Sequence, residues 1–228
     1  MTTFSDSMIT YLDELSLFNV LDARERLFLA SKLERKKISK HSIIYEKNSS
    51  AHSIYFLIKG SVKISQTSDD GREVIKRFLI PGNMFGELAL LGGKVYQDNA
   101  VSLNDEVEVY QLRAHHLLGM MRDNHELTLH ILKWVYERIE SMEKKLEAMV
   151  LKDARARIID FLKETANKVG RKVGFELLIK LSLTQQDIAN IVGTSRQTVT
   201  TVLNELKREN LIHFNRRSIL IRDISKLV

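Results

Sequence analysis

Residues 184–210 constrain this chain more than any other stretch. The segment TQQDIANIVGTSRQTVTTVLNELKREN reads as two short helices broken at Gly193. Thr184 and Asp187 form a capping-box-like start, giving a side-chain oxygen to orphan N–H groups and an acid to the positive first turn. Ile188, Ala189 and Val192 then share one face, and Gly193 tolerates the positive φ at which helices often end. Ser195 suits the N-cap of a second helix, along which Val199, Val202, Leu203 and Leu206 recur at steps of three and four. Arg196, Gln197, Thr200, Thr201 and Asn204 stay outside that apolar stripe. Their types match base edges: Arg with guanine O6/N7, Gln or Asn with adenine N6/N7, a Thr methyl with thymine. A helix presenting them from its N-terminal turns predicts the recognition helix of a helix-turn-helix. The plainer alternative is a helical hairpin with a solvated polar face.

The tail favours the first reading. After Asn210 come LIHF, NRR and SILIRD, two short apolar runs joined by a polar turn. That pattern predicts a hairpin directly behind the recognition helix, the wing of a winged helix, with Arg216 and Arg217 at a tip suited to phosphates. Charge is distributed accordingly. Residues 153–228 hold 14 Lys+Arg against 8 Asp+Glu, while residues 1–152 hold 21 of each. The whole net charge of +6 therefore lies beside the expected reading head, which points to double-stranded DNA as partner.

At 228 residues the chain has room for two domains. It contains no run of 18 apolar residues, and MTTFSDSM lacks the charged and apolar regions of a signal peptide, so no membrane partner is expected. The absence of cysteine excludes disulfides, cysteine nucleophiles and a cysteine-ligated iron–sulfur cluster. Histidines 41, 52, 115, 116, 125, 130 and 213 are scattered without metal-ligand pairing. His115 and His116, as helix neighbours, are expected to point apart. Neither metal nor haem is expected.

Residues 8–34 read as helical, with Asp22 capping Ala23–Leu33. From Lys36 the period changes. KKISKHSIIYEK, SIYFLIKGSVKIS, EVIKRFLI, NAVSL and VEVYQL are short β-branched and aromatic runs. Gly60, Asp69-Asp70-Gly71 and Pro81-Gly82 supply turn signals between them. An α+β chain follows, with an antiparallel barrel or jelly roll in front of the helix-turn-helix. From His125 to Lys152, Leu132, Val135, Ile139, Met142, Leu146 and Met149 recur at three and four, the seam of a two-stranded coiled coil. A single amphipathic helix packed on its own domain is the alternative.

Taken together, IYFLIKGSVKI, the Asp-Gly turn, FLIPGNMFGELALL and SLTQQDIANIVGTSRQTV resemble the Crp/Fnr superfamily of bacterial transcription regulators, over about Asp22 to Asp223. The resemblance implies a cyclic-nucleotide-binding-like sensor barrel with N-terminal helices over residues 1–124 and a homodimerisation helix over residues 125–152. A winged helix-turn-helix then follows over residues 153–228, hinged near Asp153. It also implies a palindromic operator, RNA polymerase as a partner, a cytoplasmic location, and an activator rather than a pure repressor. Relatives carry Glu at the position of Gln197 and a second Arg at that of Thr201, so the half-site is expected to depart from TGTGA.

The pocket departs further. In cyclic-AMP-binding members a Gly-Glu-Leu turn, here Gly86-Glu87-Leu88, precedes an Arg-Ser pair that neutralises the phosphate. This chain has Gln97, Asp98 and Asn99 there, and an acid beside a phosphate is repulsive. Met142 and Glu143 occupy the stretch from which those members' dimer helix makes polar contacts. Glu87 is therefore expected to be a scaffold residue, and cyclic AMP is not the expected effector; another small-molecule effector, or none, remains open. Two alternatives stand beside this reading. One is a cyclic-nucleotide-responsive regulator with an unusual phosphate cradle, for which Lys94 could swing in. The other is a catalytic barrel fused to a DNA-binding tail, though nothing in the spacing brings His52, Glu87 and Asp98 together.

Overall fold

The computed structural model describes residues 4–180, 182–215 and 218–227. By packing, the chain divides into two compact units, one of residues 1–66 and 78–142, the other of residues 67–77 and 143–228.

The first unit opens with α1 (Phe4–Glu14) and α2 (Ala23–Lys32). Asp22 caps α2 with a full capping box: its carboxylate accepts from the Glu25 N–H at 2.8 Å, and Glu25 accepts from the Asp22 N–H at 2.9 Å. Strands β1 (Glu34–Ile38), β2 (Ile43–Tyr45), β3 (Ser53–Lys59), β4 (Val62–Thr67), β5 (Glu73–Leu79), β6 (Met84–Phe85), β7 (Asn99–Ser102) and β8 (Val107–Arg113) follow, with the last residue of β4 and residues 73–77 of β5 falling in the second unit. They form two four-stranded sheets, ordered β1-β8-β3-β6 and β2-β7-β4-β5. Gly60 turns β3 into β4 at φ 85°. β3 is buried along most of its length rather than alternating, because both of its faces are covered. Tyr11 of α1 closes over it, its hydroxyl donating to the Leu57 carbonyl at 2.8 Å. Phe18, Leu29, Ile54, Phe56, Phe85 and Leu112 meet in the resulting core.

Helix α3 (Ala114–Asp123) carries the adjacent histidines, and Leu117 and Met120, three apart, anchor it in the core. Its start also corrects the histidine expectation. The rings of His115 and His116 lie 4.0 Å apart, because neighbours on a helix are separated by only about 100° and both side chains lean to one side. Phe28 meets His116 edge-on at 6.2 Å. Among the described residues, no group of three or more His, Asp or Glu side chains could hold a metal ion.

Helix α4 runs unbroken from His125 to Leu151, its first turn capped by Asn124, whose side-chain oxygen accepts from the Leu127 N–H at 2.9 Å. The packing boundary falls inside this helix, between Met142 and Glu143. The expected limits at 125 and 153 mark where α4 begins and where Asp153 caps the next helix, accepting from the Ala156 N–H at 2.8 Å. Among the described residues, no helix is long and apolar enough to cross a membrane.

The second unit contains α5 (Ala154–Val169), β9 (Arg171–Val173), β10 (Glu176–Lys180), α6 (Gln185–Val192), α7 (Arg196–Arg208), β11 (Ile212–Phe214) and β12 (Ser218–Ile221). Its sheet is ordered β11-β12-β10-β9, with every pair antiparallel. Ile158, Leu162, Ile179, Ile188, Leu203, Leu206 and Ile221 fill the core between helices and sheet.

Candidate nucleic-acid interface and effector pocket

Helices α6 and α7 are built as their residues dictate. Thr184 and Asp187 complete a capping box at the start of α6, and Gly193 ends it at φ 68°. Ser195 caps α7, its hydroxyl oxygen accepting from the Thr198 N–H at 3.0 Å. Ile188, Ala189 and Val192 on α6 and Val199, Val202, Leu203 and Leu206 on α7 are all buried. The turn has a further clamp that the sequence does not advertise. Arg157 of α5 donates to the carbonyls of Val192 and Gly193, at 2.9 and 3.2 Å. Arg155, two residues before it, bridges to Glu205 and Glu209 of α7 at 3.0 and 3.1 Å. The angle of α7 is thus set by α5 as well as by the α6–α7 core.

Opposite this core, Arg196, Gln197, Thr201 and Asn204 are exposed. Thr200 is half-buried, and its hydroxyl is shared between the Arg196 carbonyl at 2.9 Å and the Gln185 side-chain oxygen at 2.7 Å. Thr184 and Ser195 are engaged as caps. The hairpin of β11 and β12 stands behind α7 as expected, while Arg216 and Arg217, expected at its tip, lie outside the described residues.

On α4, Leu132, Ile139, Met142 and Leu146 of the expected seam are exposed, with Ile139 at 49% and Leu146 at 66%. Leu129, Tyr136 and Val150 extend the same apolar stripe, whereas Val135 is half-buried. Met149 serves a second purpose. Its flexible terminal methyl lies 2.4 Å from an ideal Cβ at position 193, so a side chain there would displace the methyl, while the left-handed backbone of Gly193 is what favours glycine.

The Gly-Glu-Leu turn forms a 3-10 turn over Glu87–Leu90. Gly86 enters it at φ 79°, and a Cβ there would meet the Ser53 carbonyl at 3.0 Å and the Tyr55 ring at 3.1 Å. Glu87 is buried and forms an ion pair with Arg138, a residue of α4 that the sequence reading did not single out. Only folding shows that pairing, since 51 positions separate the two residues in the chain. The following loop is held by Tyr96, which stacks on Tyr45 with ring centroids 3.8 Å apart and whose hydroxyl donates to the Ser53 carbonyl at 2.6 Å. Burial pushes the Tyr96 phenol well above the ordinary tyrosine value. Gln97 is exposed, Asp98 half-buried, and the Asn99 side-chain oxygen accepts from the Lys47 N–H at 2.8 Å. Met142 is exposed on α4, and Glu143 belongs to the second unit.

The Cyclic nucleotide-binding domain family matches residues 35–124, and the Crp-like helix-turn-helix domain family matches residues 156–228, in the order and over the elements just described. The chain belongs to the Crp/Fnr superfamily. It is 29% identical to the CRP-like cAMP-activated global transcriptional regulator of Mycobacterium tuberculosis over 174 residues, 76% of this chain and 77% of that protein. With the global nitrogen regulator of a Nostoc species it shares 29% over 173 residues, 75% of this chain and 77% of the relative. Among solved structures, FixK2 from Bradyrhizobium japonicum shares the fold at a TM-score of 0.78 and 21% identity, covering 86% of this chain and 95% of that one. Like its Crp/Fnr relatives, this chain is a DNA-binding transcription regulator and not an enzyme, which sets the catalytic-barrel reading aside.

For a Crp/Fnr regulator, the two halves of the site were unequally legible. The reading face of α7 follows from local periodicity and capping. Arg138, Arg155, Arg157 and Gln185 act across elements, and no local pattern marks them; a cation at the apolar–polar border of α4 is the only signal that could have drawn attention to Arg138.

Proposed function

We propose that this regulator binds a two-fold-symmetric operator as a homodimer and that its barrel does not respond to cyclic AMP. The observation that carries the second statement is the Glu87–Arg138 ion pair. The carboxylate at the position where cyclic-AMP-binding relatives engage a ribose hydroxyl already has a guanidinium partner within its own chain. The segment corresponding to those relatives' phosphate site offers Gln97, Asp98 and Asn99 and no cation. Dimerisation is supported by the exposed stripe from Leu129 to Val150, an apolar seam that water penalises until a second helix covers it. Two copies of α7 then meet two half-sites, with the exposed Arg196, Gln197, Thr201 and Asn204 toward the bases. A cytoplasmic activator working with RNA polymerase is the role that family membership supports, and without cysteine it carries no cysteine-ligated cluster. Neither haem nor a metal is part of the reading.

Cyclic AMP and cyclic GMP at millimolar concentration are expected to leave both operator affinity and the thermal midpoint unchanged. A ligand present at 100 times its dissociation constant would stabilise the fold by about 2.7 kcal/mol, which a melt registers. The competing reading, a cyclic-nucleotide-activated regulator with Arg138 recruited to the phosphate, draws on the name of the mycobacterial relative. A nucleotide-dependent rise in operator affinity would decide for it. Tight binding by ligand-free protein would instead make the barrel a fixed scaffold, and weak binding rescued by a cell extract would indicate another effector.

The wing supplies a separate expectation. Arg216→Ala combined with Arg217→Ala should weaken binding to all duplex sequences and flatten the dependence of log affinity on log salt by about 1–2 units, since fewer counterions are released. A wild-type slope in the double variant would remove the wing tip from the phosphate contacts.

A further inference from the structure

We infer that the joint between α4 and the helix-turn-helix is locked in this regulator, and that the lock fixes the half-site spacing its dimer accepts. The spacing statement rests on the dimer and two-half-site operator of the proposed function. The lock itself rests on contacts made wholly within the second unit.

A hinge near Asp153 is what the family resemblance implies, and the helix does break there: Asp153 has extended backbone and caps α5. Contacts nevertheless close over the break. Arg157 of α5 donates to three backbone carbonyls, those of Lys152 at 2.6 Å, Val192 at 2.9 Å and Gly193 at 3.2 Å. The first lies just past the end of α4, the other two in the turn before α7. Carbonyls only accept and a guanidinium only donates, so each bond has one direction, and the planar fork holds both segments at a set angle. Met149, in the last turn of α4, lays its methyl group against Gly193, and Lys152 pairs with Asp160 of α5 at 2.6 Å.

A second tie runs through β5. Lys145 of α4 donates to the Ile75 carbonyl at 3.2 Å, and the Glu73 carboxylate accepts from the Asn190 side chain of α6 at 3.1 Å. A carboxylate only accepts, which turns the NH2 group of Asn190 toward it. Positions 73 and 75 of one strand therefore reach α6 beyond the break and α4 ahead of it, as a strut does. These ties are the physical reason that the packing boundary falls between Met142 and Glu143 and not at Asp153.

With the joint held, each copy of α7 is a rigid extension of the dimer helix. One base pair inserted between the half-sites turns the far one by about 35° and moves it by about 3.4 Å. A rigid pair of reading heads does not follow that shift. Heads on loose joints would follow it, with a lower effective concentration of the second head at the first.

The test compares full-length wild type with two variants. Arg157→Lys keeps the charge but cannot fork across three carbonyls. Asn190→Ala combined with Lys145→Met removes the strut and leaves Arg157 in place, so it decides the matter if Arg157→Lys folds poorly. Each protein is titrated against the operator selected from random DNA, the same operator with one base pair inserted at its centre, and a single half-site. Insertion should weaken wild type by about a hundredfold and each variant by less than about tenfold. On the uninserted operator the variants should bind about threefold to tenfold more weakly than wild type. Affinity for the single half-site and base preference should not change, because the reading face is untouched. In the free proteins, amide hydrogen exchange over residues 150–157 should be faster in both variants than in wild type. A wild type that tolerates the insertion, equal insertion penalties in wild type and variants, or unaltered exchange would each overturn the inference. Light scattering separates the two readings: a monomer mass for wild type would remove the dimer and with it the spacing, whereas exchange in the free protein still decides the lock.

Discussion

Ile139→Asp is expected to convert the proposed dimer into monomers and to collapse operator binding while leaving each chain folded. Ile139 is half exposed in the single chain, so a carboxylate there costs the monomer little. In a paired seam the same position faces its counterpart, and two carboxylates would be buried together without a partner. The cost is on the order of several kcal/mol per protomer unless the helices part. Light scattering at micromolar concentration should then report the monomer mass, with the circular-dichroism spectrum largely retained. Affinity for a two-half-site operator should fall toward that of a single half-site. A variant that stays dimeric would place the interface away from the stripe running from Leu129 to Val150.

The second large effect is expected at the N-terminus of α7. Arg196→Ala should cost about 1–3 kcal/mol on the selected operator and relax one base position, the signature of a lost bidentate contact to guanine. The prediction is sharpened by what the structure shows around the residue. Arg196 is exposed, and its backbone carbonyl, not its side chain, accepts from Thr200. The capping of α7 by Ser195 and the burial of Val199 and Leu203 do not depend on the guanidinium, so the helix itself should survive the change. Gln197 and Thr201, which stand where relatives carry Glu and Arg, should shift the half-site from TGTGA. Recovery of an unaltered TGTGA palindrome from random DNA would overturn that expectation, and an affinity loss spread evenly over all sequences would make Arg196 a phosphate contact.

The contrast between Arg196 and Thr200 shows how far helical spacing reaches. Both lie on the polar face of α7, and periodicity places them there equally. Only the packing of α6 against α7 shows that the Thr200 hydroxyl is already taken by Gln185. The barrel repeats the lesson. The Gly-Glu-Leu turn identifies the position of Glu87, but its partner Arg138 lies on another element, one turn before the Met142 and Glu143 to which the family resemblance points. Met149 belonged to a seam by spacing, and the structure places its methyl group against the Gly193 turn.

What the sequence alone determined is the set of features carried by neighbours in the chain. These are the capping boxes at Asp22 and Thr184, the left-handed stop at Gly193, the apolar stripes of α6 and α7, and the strand runs punctuated by Gly60 and Gly71. Each depends on hydrogen bonds or side-chain contacts within about four residues, so composition and spacing suffice to specify it. The tertiary structure decided the rest. It paired β10 with β9 and β12, placed α3 in the barrel core, clamped the helix-turn-helix turn with Arg157, and set Arg138 on Glu87. Those contacts join residues tens of positions apart, and a long cationic or amide side chain reaches several possible partners from one backbone position. Which partner it takes depends on where the two backbones have been brought, and the packing of separate elements sets that.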